Sequence, residues 1–234
     1  MNRYLSTALA VVTTVALAAP AFSAPRVPQI AFNSASLQTR LNGFGESINV
    51  LTQQEEGLVW GSTVSSNATM TIQFELTGNP HSNSLGVATL SADRRQVLQL
   101  CEIFPADIGT GAFAVASFRA GGVMIVNRFG PAANLLGTVT YTGVNRQLYS
   151  YYLDNPLATW FSHEFHNLDD NHKIHSLSYA GTGENKGSWW MAWEDAAIAT
   201  YANADYADAI VFMESVNPTP VSQTTWSSLK ARFR

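Results

Sequence analysis

From Gly57 to Val216 the chain is cut into short apolar runs by recurring Gly, Asn, Ser and Thr, and no long amphipathic helical period interrupts the pattern. The runs are rich in β-branched and aromatic residues, and some, such as Met70 to Leu76 (MTIQFEL), alternate apolar with polar. Runs of this kind read as strands and the small polar residues between them as turns. The candidates are Gly57–Val64, Met70–Leu76, Leu85–Leu90, Val97–Phe104, Ala112–Phe118, Val123–Phe129, Leu136–Tyr141, Gln147–Tyr152, Ala158–His163, Ile174–Ala180, Ser188–Trp193 and Ala209–Val216. About a dozen short strands without a βαβ rhythm imply an all-β fold, a largely antiparallel, jelly-roll-like β-sandwich in a single domain. Leu37 to Leu41 reads as a helical turn ahead of the strands. Ser188 to Trp193 (SWWMAW) is apolar on both faces, which predicts a central strand whose outer side is covered by loops. At strand spacing Trp189 and Trp193 share one face and Trp190 takes the other.

The two ends have a different texture. Met1, Asn2 and Arg3 precede an apolar run from Leu5 to Ala19, then Pro20 and a cluster of small residues, the layout of a cleavable export signal over residues 1–23 with cleavage after Ala21 or Ser23. The run is shorter than the roughly 20 residues that a spanning helix needs. The expected protein is therefore secreted or surface-associated, with a β-sandwich body over 24–216. Residues 217–234 begin with Asn217, Pro218, Thr219 and Pro220, a linker texture, and end with Trp226, Leu229 and Phe233 among Lys230, Arg232 and Arg234. That tail reads either as a short amphipathic helix that docks on a partner or as a frayed terminus.

Cys101 is the single cysteine, so an exported fold of this sequence stands without an internal disulfide. Charge is unevenly placed. Ten acidic residues fall between Asp154 and Glu214 against only Lys173 and Lys186. Such a surface repels phosphate, which argues against nucleic acid as the partner and for a cation. An extracellular protein or a glycan remains open as a partner.

Three acidic clusters end expected strands: Asn167 to Asn171, Trp193 to Asp195 and Asn203 to Asp208. Carboxylate and amide oxygens converging from separate loops suit Ca²⁺, which takes six to eight oxygens in flexible geometry. Turn formation by the same Asp and Asn residues is the competing reading. Gly187 to Glu214 (GSWWMAWEDAAIATYANADYADAIVFME) resembles the signature of the bacterial domain of unknown function DUF4114, an aromatic strand, a Glu-Asp pair, a loop and an acidic Asp-x-Asp-Tyr motif before a last apolar strand. His163 to Ser176 is similar to that domain's upstream loop, and the resemblance spans 161–216. It implies a secreted β-sandwich with a calcium site. By position Glu194, Asp195, Asp205 and Asp208 match, whereas Asn203 stands where aspartate is usual and Ala207 where asparagine is usual. The candidate ligands are Glu194, Asp195, Asn203, Asp205, Asp208 and Asp169.

Two other chemistries use the same third of the chain. Trp193, Tyr201 and Tyr206, with Trp160, Trp189 and Trp190 nearby, could form an aromatic platform for sugar rings, as in a carbohydrate-binding module, or they could be core. His163, Glu164, His166, His172 and His175 could serve a metal-dependent hydrolase. Their spacing of three misses the zinc-protease pattern, and solvated loop histidines are the simpler reading. No nucleophile elbow is present, and the paired acids Glu194 and Asp195 are adjacent rather than facing across a cleft. The sequence thus leads to a secreted, non-enzymatic, calcium-binding sandwich acting in cell-envelope or matrix interactions.

Overall fold

The computed structural model describes residues 26–27, 29–62, 67–75, 83–106 and 108–219, with the backbone alone for 67–75. The expected export signal and the basic tail lie outside the described residues. Among the described residues one α-helix, α1 (Ala35–Gly43), precedes thirteen strands: β1 (Trp60–Ser62), β2 (Asn67–Glu75), β3 (Ser84–Leu90), β4 (Val97–Phe104), β5 (Phe113–Arg119), β6 (Val123–Phe129), β7 (Leu135–Tyr141), β8 (Tyr149–Asp154), β9 (Thr159–Phe161), β10 (Ser176–Ala180), β11 (Trp189–Trp193), β12 (Ala209–Glu214) and β13 (Val216–Pro218). They form two antiparallel sheets in one domain. The six-stranded sheet runs β13-β1-β8-β3-β4, with β9 on β8, and the seven-stranded sheet runs β10-β11-β12-β2-β5-β6-β7. No helix among the described residues is long and apolar enough to cross a membrane.

The main core lies between the sheets. Trp60, Tyr149 and Tyr151 meet Trp189, Met191 and Trp193, all buried. Trp60 packs edge-on to Trp189 at 5.6 Å and to Tyr151 at 5.4 Å between ring centroids, the arrangement that ring quadrupoles favour. Its indole N–H donates to the Gly57 carbonyl at 2.7 Å, so its one polar atom is satisfied. The alternation along β11 is the one its sequence predicts: Trp189, Met191 and Trp193 enter this core, and Trp190 and Ala192 face the opposite way.

That opposite face requires its own cover, which the N-terminal segment supplies. Leu37 and Leu41 of α1, with Ile48 and Val50, pack on Leu177, Tyr179, Trp190 and Ile210 in a second core. Phe44 stacks on Trp190 at 5.0 Å. The helix is longer than the single turn expected, and its two fully buried leucines sit one turn apart on the side that meets the sheet. Buried Gln54 clips the segment to itself, accepting from the Ile30 N–H at 2.8 Å and donating to the Ile30 carbonyl at 2.7 Å. Glu55 N–H then donates to the Ser178 carbonyl, closing part of the exposed edge of β10. At the other side of the sandwich Arg128 donates to the carbonyls of Ile103 and Glu102 and to the Glu102 carboxylate. An edge strand with unpaired carbonyls invites further pairing, and Arg128 occupies two carbonyls of β4.

The boundary at the C-terminal end is corrected by the structure. The segment read as linker from Asn217 continues as β13, which pairs Val216, Asn217 and Pro218 with Ser62, Gly61 and Trp60. Proline is tolerated there because β13 is an edge strand with no neighbour awaiting its missing N–H. Between β12 and β13 Ser215 adopts a positive φ of 61°, and at this single residue the chain leaves one sheet and joins the other.

Glu46 fastens the N-terminal cover to the sheet. Its buried carboxylate accepts from Trp190 Nε1 at 2.6 Å, Asn185 Nδ2 at 2.7 Å and the Thr182 N–H at 2.7 Å, and from the Thr182 hydroxyl. Burial alone would raise its pKa, but these donors outweigh it and hold the carboxyl below the ordinary value. A lowered folded-state pKa means that the stability it confers is present above the unfolded-state pKa and is lost as pH falls through the folded one. Glu46→Ala is expected to lower unfolding stability by about 3 kcal/mol in urea titrations at neutral pH, because it strands buried donors. Glu46→Gln is expected to flatten the loss of stability on acidification.

Candidate metal centre

Where β11 and β12 stop pairing, at Trp193 opposite Ala209, the chain places one acidic residue beyond each strand end. Glu194 follows β11 and Asp208 precedes β12, and the register makes neighbours of residues fourteen apart in sequence. The Asp208 N–H donates to the Trp193 carbonyl at 3.2 Å, extending the ladder by one step. The loop between them folds back so that Asp205 joins the pair. Glu194 Oε2 accepts from the N–H groups of Asp205 at 3.0 Å and Tyr206 at 3.4 Å. Asp205 Oδ1 accepts from the Ala207 N–H at 3.0 Å, a tight turn that Tyr206 completes with a positive φ of 52°. Asp208 Oδ2 accepts from the Asp195 N–H at 2.9 Å. Each carboxylate is thus fixed by backbone donors.

Glu194, Asp205 and Asp208, each half-buried, offer oxygens that all lie within 4.8 Å of one another. Burial raises the pKa of Glu194, with the Asp205 and Asp195 charges adding to it. Burial also raises that of Asp208, reinforced by Asp195 and Glu194. This is a site where like charge is concentrated and partly desolvated, so a cation or protons must offset it. The donor set is all oxygen, and it can hold a metal ion.

The other expected ligands are placed differently. Asp195 is buried with its carboxylate accepting from Asn83 Nδ2 at 2.8 Å, and its carbonyl accepts from Asn155 Nδ2 and Trp160 Nε1, both at 2.8 Å. It serves as an anchor of the loop and is not one of the three, although its side chain meets that of Asp208. Asp169 is exposed on a 3-10 turn, Leu168–Asp170, and its oxygens are not among the clustered ones. Asn203 is exposed at the end of the 3-10 turn Tyr201–Asn203, and among the described residues no hydrogen bond ties its amide to the carboxylates.

The sugar platform is overturned by burial. Trp193 and Tyr206 are both fully buried, Trp193 between the sheets and Tyr206 in the second core, where its hydroxyl donates to the Ile174 carbonyl. Tyr201 is half-buried and its hydroxyl accepts from the Ile174 N–H at 3.1 Å. Trp193 and Tyr206 present no ring face to solvent, because the loop needs them as core, and Tyr201 packs against the second core as a partly buried ring.

The histidines divide: His172 is exposed, as the solvated reading has it, whereas His163 and His166 are half-buried and His175 is buried. His163 and His166 lie with ring centroids 5.3 Å apart in an aromatic cluster with Phe161 and Phe165. His166 Nε2 engages the Arg94 carbonyl and His172 Nδ1 the Phe165 carbonyl. Among the described residues none of the histidines belongs to a group of three metal-ligating side chains. His175, far from solvated, is fully buried and stacks on Trp160 at 3.8 Å. Its Nδ1 meets the Glu194 carbonyl and its Nε2 the Asp170 carboxylate, each at 3.0 Å.

Asp170 is the residue that sequence reasoning undervalued. It accepts from Lys173 Nζ at 2.8 Å, His175 and the Ile198 N–H at 2.7 Å. Through His175 it holds the backbone of Glu194. Burial would raise its pKa, but Lys173, the Ile198 amide and His175 prevail and keep it low. The signal in sequence was the spacing of Asp170, Lys173 and His175 within one turn-rich segment, which many solvated loops share.

Comparison of the chain with protein-family models, with curated proteins and with solved structures finds no match in any of the three. The site is read from its own geometry. Asp170→Ala removes the partner of two buried donors and a lysine, and is expected to cost about 3 kcal/mol of stability. In proteolysis of the native protein, loop 194–208 of this variant should be cut ahead of the sheets.

Proposed function

We propose that this chain is a secreted, non-enzymatic β-sandwich that binds Ca²⁺ and acts in cell-envelope or extracellular-matrix contacts. The observation that carries the reading is the convergence of Glu194, Asp205 and Asp208 with oxygens within 4.8 Å of one another. Oxygens that share one Ca²⁺ at its usual bond length are at most about 5 Å apart, so the spacing fits a common ion. A donor set free of nitrogen and sulfur favours a hard cation over zinc or copper. Backbone donors hold the three carboxylates on the single connection between the neighbouring strands β11 and β12, and water can complete the shell of a large, flexible ion. The export signal and the resemblance of the 161–216 segment to a secreted calcium-site domain support the same reading, as does the acidic balance, which disfavours nucleic acid.

A ligand that binds only the native state stabilises it, by about 2.7 kcal/mol at a hundredfold excess over Kd. For a domain of this size that corresponds to a rise in Tm of roughly 5–10 °C. The melting temperature is therefore expected to rise with calcium over EDTA, to rise less with magnesium, and to lose the calcium increment in Asp205→Ala and Asp208→Ala. An unchanged Tm with calcium in the parent protein overturns the reading.

A further inference from the structure

An open sheet ends in strands whose outer backbone groups have no neighbour in the ladder, and such edges pair with other chains unless something blocks them. Among the described residues the two sheets have four terminal strands, β13 and β4 in one and β10 and β7 in the other. Three of these are blocked. β13 is three residues long and carries Pro218. β10 is buried over 176–179 and bridged by Glu55. β4 has the Arg128 guanidinium on its Ile103 and Glu102 carbonyls, and the Tyr141 hydroxyl donates to the Glu102 carbonyl at 3.0 Å.

β7 has no such device among the described residues. Its seven residues (LLGTVTY) hold no charge and no proline, and are exposed or half-buried along their whole length. It pairs with β6 from Met124 opposite Tyr141 to Phe129 opposite Leu135, and has no strand on its other side. Its side chains bond inward or back to β6: Tyr141 to β4, and the Thr138 hydroxyl to Asn127 Oδ1 at 2.8 Å. The bond from Tyr141 places β7 and β4 along one side of the sandwich, and apolar surface gathers there. Leu98 and Leu100 of β4 and Leu135 and Leu136 of β7 are 42–60% exposed.

We propose that β7 is the edge through which two copies of this chain pair, antiparallel about a two-fold axis, to make one continuous sheet. Centred on Thr138, the middle of the strand, the pairing sets Thr138 opposite itself, Leu136 opposite Thr140, Gly137 opposite Val139 and Leu135 opposite Tyr141. No like charges meet, threonine faces threonine and an aromatic ring faces an aliphatic side chain, all favourable cross-strand neighbours. A Cβ on Gly137 would have nothing within 4 Å, so Val139 of the other copy meets no obstruction there. A second copy suits this edge better than a loose peptide, because β7 is already ordered in each copy whereas a peptide would lose conformational entropy at every residue it paired. The same surface on both copies closes the assembly at two. A sandwich side roughly 20 Å across two sheets and about 24 Å along a strand offers about 500 Å² per copy, the lower end for specific interfaces. The dimer is therefore weak and depends on concentration.

The test is sedimentation equilibrium of the chain from about 1 μM to about 1 mM, the range of weak affinities, with hydrogen exchange at both ends of that range. It is run in EDTA, so the result stands apart from the calcium reading. The mass is expected to rise reversibly from monomer to dimer and stop there, with amide protection over 135–141 growing with concentration. Thr138 is exposed, so Thr138→Lys and Thr138→Glu should keep the parent's melting temperature, and each should weaken the dimer by about tenfold or more, because the axis sets like charges opposite. Mixing the two variants should restore association, since the charges then attract, and a folding defect could not be cured in this way. Leu168→Lys, on exposed surface elsewhere, should leave the dimer unchanged. A mass that stays monomeric at the highest concentration, a dimer that both Thr138 variants leave intact, or a mixture that does not restore it overturns the proposal. Protection over 135–141 that is independent of concentration would mean that the edge is paired within its own chain, and overturns it equally.

Discussion

The strand Trp189–Trp193 is apolar on both faces, and the need to bury it on both organises the molecule. One face is met by the six-stranded sheet through Trp60 and the tyrosines of β8. The other would be left in water by a two-layer sandwich, and the N-terminal helix and its flanks form a partial third layer to cover it. Fully burying one large apolar side chain contributes about 1.5–3 kcal/mol, so exposing Trp190, Ala192 and their neighbours would remove a large part of a typical net stability. Glu46 follows from the same constraint. Burying Trp190 also buries an indole N–H, and the carboxylate from the cover is its acceptor.

Because β11 is fixed on both sides, its C-terminal end is fixed too, and the acidic site inherits that rigidity. Glu194 is held at its N–H by the His175 carbonyl, at its carbonyl by the His175 ring, and at its carboxylate by two amides of the returning loop. Its successor Asp195 is clamped by Asn83, Asn155 and Trp160, three residues of the opposite sheet and its loops. A flexible acidic loop would relieve its repulsion by moving the charges apart. Here the carboxylates cannot retreat without breaking bonds that also hold the two sheets together.

The strands were legible because each short run carries its own period and is bounded by residues with a reason to turn. Val97–Phe104 and Val123–Phe129 coincide with their expected spans, and the opposed placement of Trp189 and Trp190 follows from alternation alone. What escaped the sequence depends on tertiary contact. Pro218 looked like linker, since its place on an edge strand is set by Trp60, far back in the chain. Trp193 and Tyr206 could be read as a platform or as core, and the packing of the second sheet and of Phe32 decides for core. Asp195 and Asp205 are both acidic and both beside the motif; Asp195 is held by Asn83, more than a hundred positions away, while its side chain still meets that of Asp208. The carboxylates that do converge were those whose neighbourhood is written in the β11–β12 register.

Charge placement gives the carboxylate end of the sandwich its chemical character. Two ionised carboxylates 4.8 Å apart repel by about 3 kcal/mol at an effective dielectric of 20, and partial exposure reduces this further. Three together still oppose the loop's closure. A single proton neutralises one group and leaves the other two in repulsion, whereas a divalent cation is attracted to all three at once, so the geometry favours the cation more as the carboxylates are held more firmly.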